Sequence, residues 1–86
     1  MEPHDVIVYP LSTEKSIRLL ESENKLVFVV KHEVTKRDVK DAVEKLFKVK
    51  VIKVTTLVTP KNEKRAYVTL SPEFPAIDIA TELGLM

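Results

Sequence analysis

Residues 35 to 57 read TKRDVKDAVEKLFKVKVIKVTTL, and within this stretch the spacing of apolar residues changes from helical to strand-like. In the first half, apolar residues recur three and four positions apart, which predicts an amphipathic helix over residues 35–48. Thr35, followed by Asp38 three positions later, predicts a capping box that starts this helix. The apolar stripe on the helix comprises Val39, Ala42, Val43, Leu46 and Phe47.

The second half of the stretch continues into a run of β-branched residues, which predicts a strand over residues 49–59. Because side chains alternate between the two faces of a strand, we expect the faces to differ. One face would carry Ile52, Val54 and Val58, and the other Lys53, Thr55 and Thr59.

Upstream, three further elements are predicted. Residues 5–9 are a short edge strand that Pro10 ends, and residues 13–21 are a short helix. Residues 25–31, KLVFVVK, hold five consecutive apolar residues between two lysines. Such a run predicts a central strand that is buried on both faces, with helices covering both faces at least in part.

Downstream, residues 60–64 predict a hairpin connection in which Asn62 takes a positive φ. Residues 65–70 return as a strand, and residues 76–83 form a last helix with Gly84 as its C-cap. Ile77, Ala80 and Leu83 would be the apolar stripe of that helix. The predicted order is β-α-β-α-β-β-α, a single α+β domain over residues 1–86 with helices packed on a mainly antiparallel sheet of about four strands.

Composition argues against catalysis. The chain has no cysteine and one glycine, so it offers no thiolate metal site, no disulfide and no glycine-rich phosphate loop. The two histidines, His4 and His32, show no metal-ligand spacing, and we expect no catalytic residue, no metal and no cofactor. No apolar run approaches the ~18 residues of a membrane span, and the first residues lack the features of a signal peptide. We therefore expect a cytoplasmic protein that is not an enzyme.

Charge is unevenly distributed along the chain. Residues 31–65 contain eleven basic and five acidic residues, a net charge of +6, whereas the remainder carries a net charge of −5. A chain of this kind can bring a basic surface to a polyanion and remain soluble elsewhere. The same lysines could also serve only to solvate the surface, and the charge by itself leaves both readings open.

The candidate polyanion contacts fall into two groups. The first is the hairpin and its two strands, where long cations can reach phosphates, hydroxyls can donate to them and a tyrosine can stack on a base. This group comprises Lys53, Thr55, Lys61, Lys64, Arg65 and Tyr67. The second is the start of the helix at residue 35, where the helix dipole favours anions, with Thr35, Lys36, Arg37 and Lys40. A different class of function, a small adaptor that binds proteins through an exposed sheet edge, remains open.

Four segments follow one another at a familiar spacing: YPLSTEKS at 9–16, NKLVFVV at 24–30, the stretch at 35–57 and KRAYVTL at 64–70. Together they resemble ribosomal protein L23 of the large subunit, in its short archaeal form. The resemblance implies an RNA-binding structural protein, bound to large-subunit rRNA at the rim of the polypeptide exit tunnel. It also implies a docking platform for factors such as the signal recognition particle, with ribosomal protein L29 as a neighbour.

The resemblance assigns roles within the first helix start. Thr13 and Lys15 would contact rRNA, and Glu14 would face docking factors. Lys15 also sits where the helix dipole disfavours a cation, which indicates an external anion beside it. Two departures from the family pattern are Thr55-Thr56 in place of Asn-Thr, and Asn62 in place of a hairpin glycine. The short hairpin implies that the protein shapes the tunnel rim without lining its interior, and we expect a monomer when the protein is free.

Overall fold

The computed structural model describes residues 6–84, which form a four-stranded antiparallel sheet and three helices. This architecture and its order confirm the predicted α+β class. The predicted first residue of the edge strand, Asp5, lies outside the described residues, as does His4. In chain order the elements are β1 (Ile7–Pro10), α1 (Glu14–Glu23), β2 (Lys25–Val30), α2 (Lys36–Phe47), β3 (Val51–Val58), β4 (Lys64–Leu70) and α3 (Ala76–Glu82).

The strands lie in the order β1-β2-β4-β3, so β2 and β4 are central and β1 and β3 are the two edges. Each neighbouring pair is antiparallel. The register places Tyr67 of β4 between Val27 of β2 and Thr55 of β3. Since alternate residues share a face, this row fixes which side chains are neighbours across the whole sheet.

One face of the sheet, here called the core face, carries the hydrophobic core. Residues of all three helices pack there against the inward side chains of β2 and β4. Phe28 of β2 stacks on Phe47 of α2, with ring centroids 5.9 Å apart and ring planes 13° from parallel. An aromatic pair in this arrangement contributes ~0.5–1.5 kcal/mol beyond the area that it buries. α2 packs mainly over β3, and this aromatic pair ties its last turn to β2.

The opposite face, here called the open face, carries the alternate residues of the four strands. Val27 and Val29 of β2 point there, yet both are buried, which confirms that β2 is covered on both faces. Leu11 and Leu19 lie beside Val27, so the start of α1 and the chain before it cover part of this face. Toward β3 the open face is lined by polar side chains instead of a helix.

Both edge strands contain a β-bulge. The register of β3 against β4 shifts between Val51 and Lys53, so that Ile52 is the extra residue and its side chain is 59% exposed. The prediction that Ile52 shares a strand face with Val54 is therefore wrong, because the bulge adds one residue and gives the inward position to Val51. In β1 the corresponding shift falls between Ile7 and Tyr9. Val8 is the exposed residue there.

The start of α2 is confirmed in detail. The Asp38 N–H donates to Thr35 Oγ1 (3.2 Å), and the Thr35 N–H donates to Asp38 Oδ2 (3.0 Å). At the other end Lys48 takes a left-handed conformation with φ of 54°, and the Val51 N–H donates to Glu44 Oε2 (3.0 Å). These contacts reverse the chain from helix to strand within three residues.

Three expectations about the helices are wrong. Leu46 is exposed because it lies on the flank of the α2 stripe, and Ile77 is exposed because α3 turns Ala76, Ile79 and Ala80 inward. α1 also continues to Glu23, two residues beyond its predicted end. Asn24, with φ of 56°, ends α1, and its side-chain Nδ2 donates to the carbonyls of Leu70, Ser71 and Phe74.

We predict that Thr35→Ala lowers the free energy of unfolding by ~1 kcal/mol, because one donor at the start of α2 loses its acceptor. Thr35→Ser keeps an acceptor oxygen and should stay within a few tenths of a kcal/mol of the wild type. Urea unfolding followed by circular dichroism measures both. Equal stability of the alanine and serine variants would contradict the assigned role of the cap.

Candidate nucleic-acid interface

The start of α1 is a capping box in which serine takes the place usually held by glutamate. The Ser16 N–H donates to Thr13 Oγ1 (3.2 Å), and the Thr13 N–H donates to Ser16 Oγ (2.8 Å). Ser16 is buried, whereas Thr13 and Lys15 are exposed. The oxygen of Thr13 thus serves the helix as an acceptor, while its hydroxyl proton can still be donated to an external group.

The sheet brings the start of α1 next to two predicted contacts on β4. Thr13 and Lys15 line one small cavity together with Arg65 and Tyr67. Its floor includes Val27 of the central strand, so an apolar surface lies beneath two cations, a hydroxyl and an aromatic ring. Four residues that the sequence predicted separately therefore form one cluster on the open face.

Arg65 belongs to a hydrogen-bonded network that also includes an acid and a second tyrosine. Arg65 Nε donates to Glu63 Oε1 (3.0 Å), and the Tyr9 hydroxyl donates to Glu63 Oε2 (2.9 Å). The Arg65 hydrogen bond, followed by that of Tyr9, holds the pKa of the Glu63 carboxyl below its ordinary value. Conversely, the hydrogen bond to Glu63 raises the pKa of both Tyr9 and Arg65.

A second cluster lies where α2 begins beside edge strand β3. Four cations, Lys36, Arg37, Lys40 and Lys53, line one groove of about 450 Å³. All four are exposed, and none of them forms an ion pair within residues 6–84. The bulge in β3 places Ile52 in this groove, so its floor is apolar.

Strand β3 connects the two clusters. Thr55 is paired with Tyr67, and Lys53 is the next residue toward the start of β3 on the same side. Lys53 also lines the groove at the start of α2. We use the name basic belt for this band, which runs from the start of α1 across β4 and β3 to the start of α2. The basic belt comprises Thr13, Lys15, Arg65, Tyr67, Thr55, Lys53, Lys40, Arg37 and Lys36, with the helix cap Thr35 at its end.

The hairpin between β3 and β4 is tied to the loop before α2. Lys64 Nζ donates to the carbonyls of Val34 (2.6 Å) and His32 (3.2 Å). His32 Nε2 lies 2.6 Å from the Asn62 carbonyl oxygen, and Asn62 has the predicted positive φ, at 62°. The ammonium group of Lys64 is thus already engaged within the protein, whereas Lys61 at the tip of the hairpin is exposed.

Glu14 is the first residue of α1 and points away from the sheet. Its side chain is 85% exposed, and its carboxylate forms an i,i+4 ion pair with Arg18 (3.1 Å). Such exposed pairs contribute only ~0.3–0.5 kcal/mol, so Glu14 is free to meet a partner at little cost. It lies one residue from Thr13 and Lys15, on the same helix turn.

Residues 6–84 contain no cluster of three or more histidine or acidic residues with the geometry of a metal site. Within the same residues, no helix has the length and apolar character needed to cross a bilayer.

Two participants in the open-face network were absent from the predicted contacts, Tyr9 and Glu63. Glu63 and Arg65 are two residues apart at the start of a strand, so their shared face could have been read from the sequence. Tyr9 could not have been placed there, since its position depends on the pairing of β1 with β2 and of β2 with β4.

A small α+β domain with cations gathered over an open sheet face is typical of nucleic-acid-binding proteins. Comparison with known families agrees with that class. The family described as Ribosomal protein L23 matches residues 5–77, which is most of the chain. The chain belongs to this family and is therefore a protein of the large ribosomal subunit. Members of the family are structural components of the ribosome.

We predict that Lys64→Ala destabilises the fold, because the carbonyls of Val34 and His32 lose a charged donor. The free energy of unfolding should fall by about 1–3 kcal/mol, as expected for hydrogen bonds to a charged group. Lys61→Ala removes the same charge from an exposed site and should change it by less than ~0.5 kcal/mol. Denaturant unfolding of the two variants would show equal stabilities if Lys64 were only a surface cation.

We also predict a pH-dependent contribution from Glu63. Because its folded pKa is lowered, its carboxylate stabilises the fold fully above the ordinary pKa of about 4.5. That contribution is lost as the pH falls through the lowered folded pKa. Glu63→Gln should therefore be less stable than the wild type at pH 6 and should approach it at pH 3 in urea unfolding. A difference that is the same at both pH values would contradict the network.

Proposed function

We propose that this protein binds large-subunit rRNA through the basic belt, at the rim of the polypeptide exit tunnel. The observation that carries the proposal is the continuity of the belt, since cations from two helix starts and two strands follow one another from the open face, past edge strand β3, to the start of α2. Phosphate contacts fix the position of a protein on RNA, and a row of cations can follow a phosphate backbone. Family membership indicates a protein of the large ribosomal subunit, and the belt is the surface through which we propose that it binds rRNA.

The two ends of the belt suit different parts of an RNA. Near α1, Tyr67 and the hydroxyls of Thr13 and Thr55 lie beside Arg65 and Lys15, which fits an unpaired base or a ribose as well as phosphate. The groove at α2 has four exposed cations beside Ile52, none of them ion-paired within residues 6–84, which fits successive phosphates of a folded backbone. We therefore expect the α2 end of the belt to recognise the shape and charge of the RNA backbone, and the α1 end to contact bases.

The hairpin contributes in two ways. Lys61 is exposed and stays a predicted direct phosphate contact. Lys64 supports the interface mainly by holding the loop before α2, so its loss would misplace Thr35 and Lys36 as well as remove a charge. Lys64 stays a predicted rRNA contact, but its substitution would alter the fold and the charge together and so would not report on the surface alone.

The side of α1 that carries Glu14 is proposed to face nascent-chain factors such as the signal recognition particle. Support comes from its exposure and from its position beside the RNA-binding cap, where a factor would meet both protein and rRNA. Ribosomal protein L29 is the proposed protein neighbour, and the cytoplasm is the proposed location. The hairpin spans only residues 59–63 between its strands, which supports a place on the rim and not inside the tunnel.

The test replaces three exposed cations of the belt together, as Lys36→Gln, Lys40→Gln and Lys53→Gln. Binding to a transcript of the large-subunit rRNA, measured by filter retention from 50 to 200 mM salt, should weaken. The slope of log affinity against log salt should fall by about 2–3, since each lost phosphate contact removes ~0.7–0.9.

The matched control removes the same charge outside the belt, as Arg18→Gln, Lys45→Gln and Lys50→Gln, all of which are exposed. It should lose much less affinity and keep its slope. Equal losses of affinity in the two triple variants would mean that net charge determines binding and that the belt has no special part in it. No affinity of the wild type at 50 mM salt would overturn the proposed function.

A further inference from the structure

We infer that Tyr9 and Arg65 form a phosphate subsite that Glu63 fills in the free protein and vacates when RNA binds. This inference rests on the proposed function and adds two residues, Tyr9 and Glu63, that the basic belt does not include. The subsite lies on the open face, next to the cluster at the start of α1.

The geometry of the two donors carries the inference. Arg65 Nε and the Tyr9 hydroxyl are 3.0 and 2.9 Å from the two different oxygens of one carboxylate. A phosphate also presents two adjacent anionic oxygens, and the guanidinium fork binds either group in the same way. The two donors are therefore arranged for an oxyanion with two acceptor atoms, and Glu63 is the one that the chain itself supplies.

Position supports the same conclusion. Arg65 lines the cavity that also holds Thr13, Lys15 and Tyr67, so a backbone bound there passes beside it. The side chains of Arg65 and Glu63 are 31% and 29% exposed, so the pair can be reached from solvent. An ion pair that solvent reaches is weak enough for a ligand phosphate to replace it.

Glu63 can leave without disturbing the hairpin. The backbone of Glu63 is held separately, since its N–H donates to Thr59 Oγ1 (3.3 Å) and its carbonyl accepts from the Thr59 N–H (2.9 Å). Rotation of the side chain about its own bonds would therefore free both donors while the hairpin keeps its conformation. We therefore expect Glu63 to lower the affinity of the free protein for polyanions, because its carboxylate occupies donors that a phosphate would otherwise bind.

The decisive variant is Glu63→Gln, which keeps the size of the side chain and removes its charge. Its affinity for the large-subunit rRNA transcript should rise roughly two- to fivefold, the range set by an exposed ion pair. The salt slope should steepen by up to about one, since Arg65 then meets phosphate without a competing carboxylate. Glu73→Gln, which removes a distant exposed acid, is the matched control and should change affinity much less.

Two further variants separate the subsite from a general charge effect. Tyr9→Phe removes one donor and should weaken rRNA binding with little change in salt slope, because the hydroxyl is uncharged. In an Arg65→Gln background, Glu63→Gln should no longer raise the affinity. Unfolding measurements on each variant ensure that the comparison is made between folded proteins.

The outcomes distinguish the two levels of the proposal. A wild type that does not bind the rRNA transcript overturns the proposed function, and the subsite with it. A wild type that binds, together with Glu63→Gln and Tyr9→Phe variants of unchanged affinity, overturns the subsite alone. A gain for Glu63→Gln that persists without Arg65 would mean that Glu63 acts through net charge, which also overturns it.

Discussion

The packing of α2 against β2, through Phe47 stacked on Phe28, is the interaction on which the other features of this molecule depend. It fixes the helix over the core face, so the start of α2 emerges beside edge strand β3. Together with α1 and α3, α2 fills the core face, so polar side chains of the sheet gather on the open face. The placement of the basic belt follows from this one apolar contact.

The sequence was sufficient for the elements that local patterns define. The capping pair Thr35 and Asp38, the positive φ of Asn62 and the doubly buried β2 could all be predicted, because each depends on neighbours in the chain. Ile52 could not be predicted, since strict alternation takes no account of a bulge. The engagement of Lys64 with the Val34 carbonyl was equally hidden, because thirty residues separate the two partners.

The candidate interface shows the same division. Most residues of the interface could be predicted from their side-chain chemistry. The sequence, however, placed them in separate groups, on a hairpin and on two helix starts. The antiparallel register of β3 and β4 joins them, and the pairing of β1 with β2 and of β2 with β4 brings Tyr9 to Glu63. Acidic residues within a basic region are easily taken for charge balance alone, whereas Glu63 accepts hydrogen bonds from both Arg65 and Tyr9, which is why we propose a specific part for its carboxylate in RNA recognition.

The bulges at Val8 and Ile52 have a consequence for the protein before it reaches a ribosome. A regular edge strand offers evenly spaced donors and acceptors that another copy of the chain can extend into a larger sheet. Each bulge breaks that spacing on its own margin, so neither edge is a good template. Both margins of the sheet thus carry an obstacle to pairing with a second copy of the chain.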